Sequence, residues 1–313
     1  MRIVIALGGN AMTSTDGRAR SEDQRAAITE AAGPIADLVA AGHDVLLTHG
    51  NGPQVGNLLL KNELSASVVP PVPLDWCGAQ TQATIGMLLL DALDHAFAER
   101  RLDRRTAALV SRTLVDRDDH AFAEPTKPIG RYLPEDEARV MMEHGQHFVE
   151  VANRGWRRVV ASPEPLECLD SPSADALIAA GFVVVCSGGG GIPTVREPDG
   201  TLEGVEAVID KDLTAAIIAR AVDADLLVIA TDVDSAVTDW GTPHAKPIGE
   251  VTAGEMRAIA KDQGFASGSM GPKVEAVTRF AEHGNGTGVI TSLPRIGNAI
   301  DGQLGTRVVP DRS

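Results

Sequence analysis

Short apolar runs alternate with segments of helical periodicity along most of the chain. This alternation is typical of a largely parallel sheet that is covered by helices on both faces. The sequence therefore predicts an α/β fold. Strands are predicted at residues 2–7, 43–48, 106–111, 182–186, 225–230 and 287–291.

The helical segments lie between these strands. Ser21 to Gln24 has the spacing of a capping box, which predicts a helix running to about Ala41 and ended by Gly42. Within it, the pair Gly33-Pro34 is expected to produce a kink. Further helices are predicted at 75–100, 173–180, 210–222, 252–261 and 272–283.

Glycine clusters follow several of the predicted strands. Because ligands in an open α/β sheet lie beyond the carboxyl ends of the strands, these clusters predict a binding site at one edge. Their backbone N–H groups suit small anions and phosphates, although each cluster alone could be a tight turn. The clusters are Gly8-Gly9-Asn10, Gly50-Asn51-Gly52 and residues 188–191.

Two common nucleotide motifs are not supported. The second cluster has the spacing GxGxxxG with Pro53 inside it, and no strand ending in an acid follows about 20 residues later, as a dinucleotide fingerprint requires. The chain also contains no GxxxxGK[ST] motif, which excludes a P-loop.

Residues 115–162 break the alternation. This segment is rich in proline and charge and lacks a clean succession of strands and helices. It is interpreted as an insertion that projects from the sheet and that could act as a lid.

Composition and charge narrow the class of protein. The net charge of −15 argues against binding to nucleic acid or anionic membranes, which both favour a basic surface. No apolar run is long enough for a membrane span, and the chain opens directly into a strand, so neither a membrane nor a secreted protein is expected. Cys77, Cys168 and Cys186 lie far apart, as buried reduced thiols do, and the expected compartment is the cytoplasm.

Lysine is scarce in this chain, because only six of the 28 basic residues are lysines. Three of them, Lys127, Lys211 and Lys273, are candidates for positions that need a compact ammonium group, although six lysines could also scatter in this way by chance. Phosphoryl transfer requires charge neutralisation more than covalent chemistry, and compact ammonium groups supply it.

Acidic and imidazole groups add further candidates, each with a simpler interpretation. Asp212 could orient two lysines at a helix N-terminus, or it could belong to an acidic cap. Asp232 and Asp234 could face a ribose or a metal, or form a turn. His49 could be a base, but local hydrogen bonding is the favoured interpretation.

Taken together, the motifs resemble those of the carbamate kinases, of the amino acid kinase family. They occur in family order along nearly the whole chain, and Pro-Thr-Lys-Pro-Ile-Gly is the most discriminating of them. The matching segments are 6–11, 48–59, 125–130, 155–160, 187–193, 204–212 and 268–276.

This resemblance implies a three-layer α/β/α sandwich with a mainly parallel sheet. It implies one amino acid kinase domain over 1–313, with 115–162 as a protruding lid subdomain. The implied reaction is ATP + carbamate ⇌ ADP + carbamoyl phosphate, with Mg²⁺, in a homodimer. Arginine or purine breakdown would run the reaction toward ATP.

The resemblance also implies roles for individual residues. Lys127, Lys211 and Lys273 would neutralise the transferring phosphoryl group, and Asp212 would organise the lysines. Related kinases carry a lysine in the first strand motif where Ala6 stands here, and Lys127 would replace its charge. The implied substrate-binding residues are Gly8, Gly9, Asn10, Gly50, Asn51 and Gly52, and the implied nucleotide-binding residues are Lys211, Thr231, Asp232, Val233, Asp234, Met270, Gly271, Pro272 and Lys273.

The sequence departs from the family pattern at a few positions, and two other functions are alternatives. Ala83, Ala161 and the pair Ser235-Ala236 stand where the family usually has other residues, which bears on rate and nucleotide affinity. One alternative is a kinase of another small carboxylate on the same fold. The other is a nucleotide-binding regulator that has lost turnover.

Overall fold

The structure of the protein is a computed structural model. The structure describes residues 1–8, 20–65, 68–143, 145–265, 270–283 and 286–311. The predicted site residues Gly9 and Asn10 lie outside these ranges.

The elements follow one another mostly as the sequence predicts. The strands are β1 (Arg2–Leu7), β2 (Asp44–His49), β3 (Arg105–Ala108), β4 (Arg112–Val115), β5 (Lys127–Leu133), β6 (His147–Val151), β7 (Gly155–Val160), β8 (Pro165–Cys168), β9 (Phe182–Val185), β10 (Ile192–Arg196), β11 (Leu202–Gly204), β12 (Leu226–Thr231), β13 (Val237–Thr238), β14 (Lys246–Pro247), β15 (Glu250–Thr252), β16 (Thr287–Ser292) and β17 (Thr306–Val309). The α-helices are α1 (Ser21–Ala40), α2 (Gly52–Ser65), α3 (Leu74–Arg100), α4 (His120–Ala123), α5 (Glu135–Glu143), α6 (Ser171–Ala179), α7 (Lys211–Ala221), α8 (Ala253–Gln263), α9 (Gly271–Glu282) and α10 (Ile296–Ile300).

The main sheet has eight strands within the described residues, in the order β15-β17-β16-β12-β1-β2-β9-β3. From β16 to β3 every neighbouring pair is parallel, and β17 runs antiparallel to β16. The carboxyl ends of β12, β1, β2 and β9 therefore lie side by side at one edge of the sheet. This is the edge where the sequence predicts the binding site.

Alternating side chains on the strands form two hydrophobic cores. Along β1, Ile3, Ile5 and Leu7 pack with α1, α3 and α10, whereas Val4 and Ala6 pack with the helices α6 to α9. The predicted three-layer α/β/α arrangement with a mainly parallel sheet is thus confirmed.

The capping box predicted for the first helix is wrong. The N-cap is Arg20, whose side chain makes no capping hydrogen bond, and Ser21 is already helical. The Gln24 side chain instead accepts a hydrogen bond from Gln54 Nε2 of α2 at 3.0 Å, so tertiary contact replaces the local cap. A complete capping box is present at α8, between Thr252 and Glu255.

Pro34 does not interrupt α1, which continues to Ala40. The carbonyl that Pro34 leaves without an amide partner belongs to Glu30, an exposed residue where water can satisfy it.

Two smaller sheets lie outside the main one in the described chain between β3 and β12. One joins β11, β10, β4 and β8, and the other joins β5, β7 and β6 in an antiparallel arrangement. The second, with α4 and α5, lies within residues 115–162, the segment expected to be an insertion. Its sheet shares no strand with the main sheet and packs on α2 and α3 through Ile129 and Val160, and Lys127 lies at the start of β5.

Candidate functional site

The first part of the site is built from backbone at the ends of β1 and β2. Leu7 is in register with His49 on one side and with Ala230 on the other. Immediately afterwards, Gly8 N–H donates to the Ala230 carbonyl and Gly50 N–H donates to the Leu7 carbonyl, both at 3.0 Å. These bonds fix where the two glycine segments leave the sheet.

The glycine run after β9 requires residues without side chains. A Cβ at Gly188 would lie 2.2 Å from His49 Nε2, and one at Gly191 would lie 2.0 Å from Thr113 Oγ1. Side-chain donors hold the carbonyls of this loop, because Gln82 Nε2 bonds Gly188 O at 2.9 Å and Thr113 Oγ1 bonds Gly190 O at 2.8 Å. The loop is therefore pressed against the ends of the neighbouring strands in a fixed shape.

A buried carboxylate joins two of the predicted lysines. Asp212 is only 3% exposed, and its two oxygens contact Lys211 Nζ and Lys273 Nζ, the latter at 3.0 Å. Burial alone would raise the pKa of Asp212, but the two ammonium groups outweigh it and the pKa is lowered. The carboxylate is therefore ionised at neutral pH and fixes both positive charges.

This arrangement depends on two helix N-termini. Lys211 and Asp212 open α7, and Lys273 lies in the first turn of α9, after Met270, Gly271 and Pro272. The two helices pack against each other. Because helix N-termini favour anions, the site combines two dipoles and two ammonium groups on one side of the sheet edge.

Asp210 is a site residue that sequence analysis did not assign. It is the N-cap of α7, where its Oδ1 accepts hydrogen bonds from the N–H groups of Asp212 (2.9 Å) and Leu213 (3.4 Å). Its Oδ2 lies 3.4 Å from Lys127 Nζ. Asp210 therefore connects the lysine of the separate three-stranded sheet to the helix that carries Lys211.

His49 is a buried side chain that packs against Gly188. It is 1% exposed, and burial lowers its pKa to about 4. Since a carbonyl can only accept, the contact of Nδ1 with Gly50 O at 2.9 Å places the proton of the neutral ring on Nδ1. This agrees with the simpler interpretation favoured from the sequence.

The residues expected to bind nucleotide begin at the end of β12, next to β1. Thr231 Oγ1 donates to Asp232 Oδ1 at 3.0 Å, and Ser292 at the end of β16 donates to Asp234 Oδ1. This acidic turn is therefore anchored to two neighbouring strands of the sheet. Val233 lies within it and is half-buried.

A cavity of about 510 Å³ lies between the glycine loops and the three-stranded sheet. It brings together three residues that the sequence predicts, Asn51, Gly52 and Lys127, with Gly189, Gly191 and Arg157. Arg157 was not assigned from the sequence.

Among the described residues, no group of three or more histidine, cysteine, aspartate or glutamate side chains could hold a metal ion. The carboxylate of Asp212 is engaged by two lysines and is not available to a cation. The three cysteines, all within the described residues, are buried and unpaired as expected.

Three comparisons with known proteins agree on one family. The model of the amino acid kinase family matches residues 1–292. Carbamate kinase of Thermococcus kodakarensis is 43% identical over 98% of this chain and 99% of the relative, and that of Pyrococcus furiosus is 40% identical over 99% of both. The structure of carbamate kinase from Giardia lamblia bound to AMP-PNP superposes with a TM-score of 0.94, at 41% identity over 99% of this chain and 98% of that one.

Proposed function

The chain belongs to the amino acid kinase family, and we propose that it is a carbamate kinase that catalyses reversible phosphoryl transfer between ATP and carbamate. The observation that carries this proposal is the pairing of Lys211 and Lys273 on the buried Asp212, with Lys127 in contact with Asp210, the N-cap of the helix that Lys211 opens. Three ammonium groups held at one sheet edge suit the negative charge of a phosphoryl group in transfer.

In the proposed direction of ATP formation, a terminal oxygen of ADP attacks the phosphorus of carbamoyl phosphate. The bond from phosphorus to the carbamoyl oxygen breaks, and carbamate leaves with the electron pair. Lys211 and Lys273, oriented by Asp212, contact the phosphoryl oxygens, and the segments at Gly8 and at 50–52 hold the substrate end. Gly9 and Asn10 belong to the same proposal, on sequence resemblance alone.

We assign the nucleotide to the side of the site formed by Thr231 to Asp234 and the start of α9. The anchored acidic turn supports this placement, since carboxylates suit the hydroxyl groups of a ribose. Met270, Gly271 and Pro272 would flank the nucleotide, while Lys211 and Lys273 reach its phosphates.

Residues 115–162 are proposed to act as a lid. The support is that their three-stranded sheet shares no strand with the main sheet, and that Lys127 contacts Asp210, 83 positions along the chain, through a partly buried ion pair. A contact of this kind can form on closure and separate on opening at little cost.

Mg²⁺ is proposed to arrive with the nucleotide. Mg²⁺ in kinases is held mainly by phosphate oxygens and water, with one or two carboxylates of the protein. The residues that the structure describes contain no dense acidic cluster, and this agrees with a metal that is held mainly by the nucleotide. Asp232 and Asp234 are the carboxylates on the nucleotide side. The metal would supply neutralisation of the nucleotide phosphates.

We propose a cytoplasmic homodimer. The buried, unpaired thiols support a location in the cytoplasm. The exposed side chains of Trp76 and Met87 on α3 support a contact with a second copy of the chain. Nucleic acid and membranes are not proposed as partners of this acidic chain. None of the described helices is long and apolar enough to cross a membrane.

The test is a coupled assay of ATP formation from ADP with carbamoyl phosphate or acetyl phosphate as the donor. A carbamate kinase forms ATP with the first donor at a far higher kcat/KM. Preference for acetyl phosphate would favour a kinase of another small carboxylate. Nucleotide binding without ATP formation from either donor would favour a regulator.

A further inference from the structure

Arg157 is a second cation that the three-stranded sheet presents to the cavity of about 510 Å³. It lies on β7, and it lines the same cavity as Lys127, Asn51 and Gly52. Its Nε is buried and has no hydrogen-bond partner in the structure. A buried guanidinium N–H without a partner is costly, so the charge of this side chain is suited to an anion bound in the cavity that it lines.

Tyr132 holds the guanidinium in place from the neighbouring strand. Its hydroxyl lies 3.4 Å from Arg157 Nη1, and the guanidinium carbon lies 5.1 Å from the centre of its ring. An irregularity in β5 creates this pairing, because the register shifts between Ile129 and Tyr132 and places Tyr132 opposite Arg157. Gly130, within the irregularity, has a φ of +66°, which favours glycine.

We propose that Arg157 binds the carboxylate of carbamate and stabilises it as the leaving group, with Tyr132 as its positioning residue. This inference rests on the proposed function. A planar guanidinium matches a carboxylate through two parallel N–H bonds, whereas the compact ammonium of Lys127 suits the phosphoryl group.

The chemistry explains why such a contact would be catalytic. When ADP attacks carbamoyl phosphate, the bond from phosphorus to the carbamoyl oxygen breaks and its electron pair moves onto carbamate. Negative charge therefore grows on the carboxylate oxygens during the reaction. A donor aimed at these oxygens strengthens its hydrogen bonds in the transition state and raises kcat.

The main variant is Arg157→Ala, assayed in the direction of ATP formation. It is expected to lower kcat about 100-fold, while the KM for ADP changes by less than about twofold. Arg157→Lys is expected to recover only part of the rate, because the two-pronged geometry is lost. Tyr132→Phe keeps the ring and is expected to lower kcat only several-fold, without a change in the KM for ADP.

Arg154→Ala is the matched control. Arg154 also contacts the Tyr132 ring, at 5.7 Å, but it is exposed and does not line the cavity. It is expected to retain wild-type kcat. Added guanidinium ion at millimolar concentration is expected to restore activity to Arg157→Ala, which a merely structural loss would not permit.

Two small inhibitors identify what Arg157 binds. Acetate presents a carboxylate without phosphorus, whereas inorganic phosphate presents phosphoryl oxygens without a carboxylate. Arg157→Ala is expected to weaken inhibition by acetate at least tenfold and to leave inhibition by phosphate nearly unchanged. The reverse pattern would overturn the assignment.

The outcomes separate the two claims. If the wild-type protein forms no ATP from carbamoyl phosphate, the proposed function fails. If the wild type is active and Arg157→Ala retains kcat within about threefold, only the inference on Arg157 fails. If Arg157→Ala does not fold, Arg157→Lys with the two inhibitors gives the same decision.

Discussion

Replacing Lys127 by alanine removes one positive charge from the proposed site and leaves the main sheet intact. Lys127 lies on β5, outside that sheet, and its described ionic contact is with Asp210 at 3.4 Å. The variant should therefore separate catalysis from folding. We expect a large loss of kcat, a small change in the Kd for ADP, and little change in stability.

The magnitudes follow from exposure and position. The two side chains of the Lys127–Asp210 pair are 38% and 17% exposed, and a pair of this kind contributes about 0–1 kcal/mol to the free energy of unfolding. Loss of one donor that meets charge in the transition state costs about 3–4 kcal/mol, or 10²–10³ in kcat. The expected rate loss is therefore several times the expected stability loss.

The assay measures ATP formation from ADP and carbamoyl phosphate, with ADP affinity from calorimetry and stability from urea unfolding. Lys127→Arg is expected to restore little activity, because a planar fork does not replace an ammonium group. Lys246→Ala is the matched control, since Lys246 is exposed on β14 and is expected to have wild-type kcat. Near-normal turnover of Lys127→Ala, or a loss of ADP affinity in proportion to rate, would refute the reasoning.

Three other predictions follow from the same structure. The folded-state pKa of His49 is about 4, below the 6.5 of the unfolded chain, so its contribution to the free energy of unfolding should fall by about 3 kcal/mol as the pH drops from 6.5 to 4. In urea unfolding, the stability of His49→Asn should therefore depend less steeply on pH than that of the wild type. Equal slopes for the two proteins would contradict this prediction. Excess EDTA should abolish ATP formation and added Mg²⁺ should restore it, whereas full turnover in EDTA would exclude the metal's role. Hydrogen exchange in residues 115–162 should be faster than in β1 and β2 and should slow when nucleotide and substrate are present; equal protection in all states would argue against a lid.

Much of the fold could be predicted because periodicity and strand-end glycines are local signals. The six predicted strands and the predicted helices are all present, with ends shifted by up to three residues. The third strand ends early, at Ala108, because the chain leaves the sheet and Ser111 N–H bonds Gln82 of α3 at 2.8 Å. The capping box at Ser21 fails for a similar reason, since Gln24 is engaged by Gln54 of α2.

Parts of the site could be predicted from the glycine clusters at strand ends and from residue types that are unusual in this chain. Lysine is scarce, so Lys127, Lys211 and Lys273 are conspicuous, and the structure places two of them on one carboxylate. Arg157 lies in the matching segment 155–160, but its residue type is not unusual in a chain that uses arginine freely, and its contact with Tyr132 depends on the irregular register of β5. The contact of Asp210 with Lys127 joins residues 83 positions apart, which no local pattern reveals.

Phosphorus-31 NMR of the protein with ADP, Mg²⁺ and carbamoyl phosphate tests the proposed transfer most directly. The account predicts that the carbamoyl phosphate signal declines as the β- and γ-phosphate signals of ATP grow in equal amount, and that Lys273→Ala slows this exchange strongly. A decline to inorganic phosphate without ATP, at the rate seen without protein, would contradict the claim that this lysine site transfers a phosphoryl group.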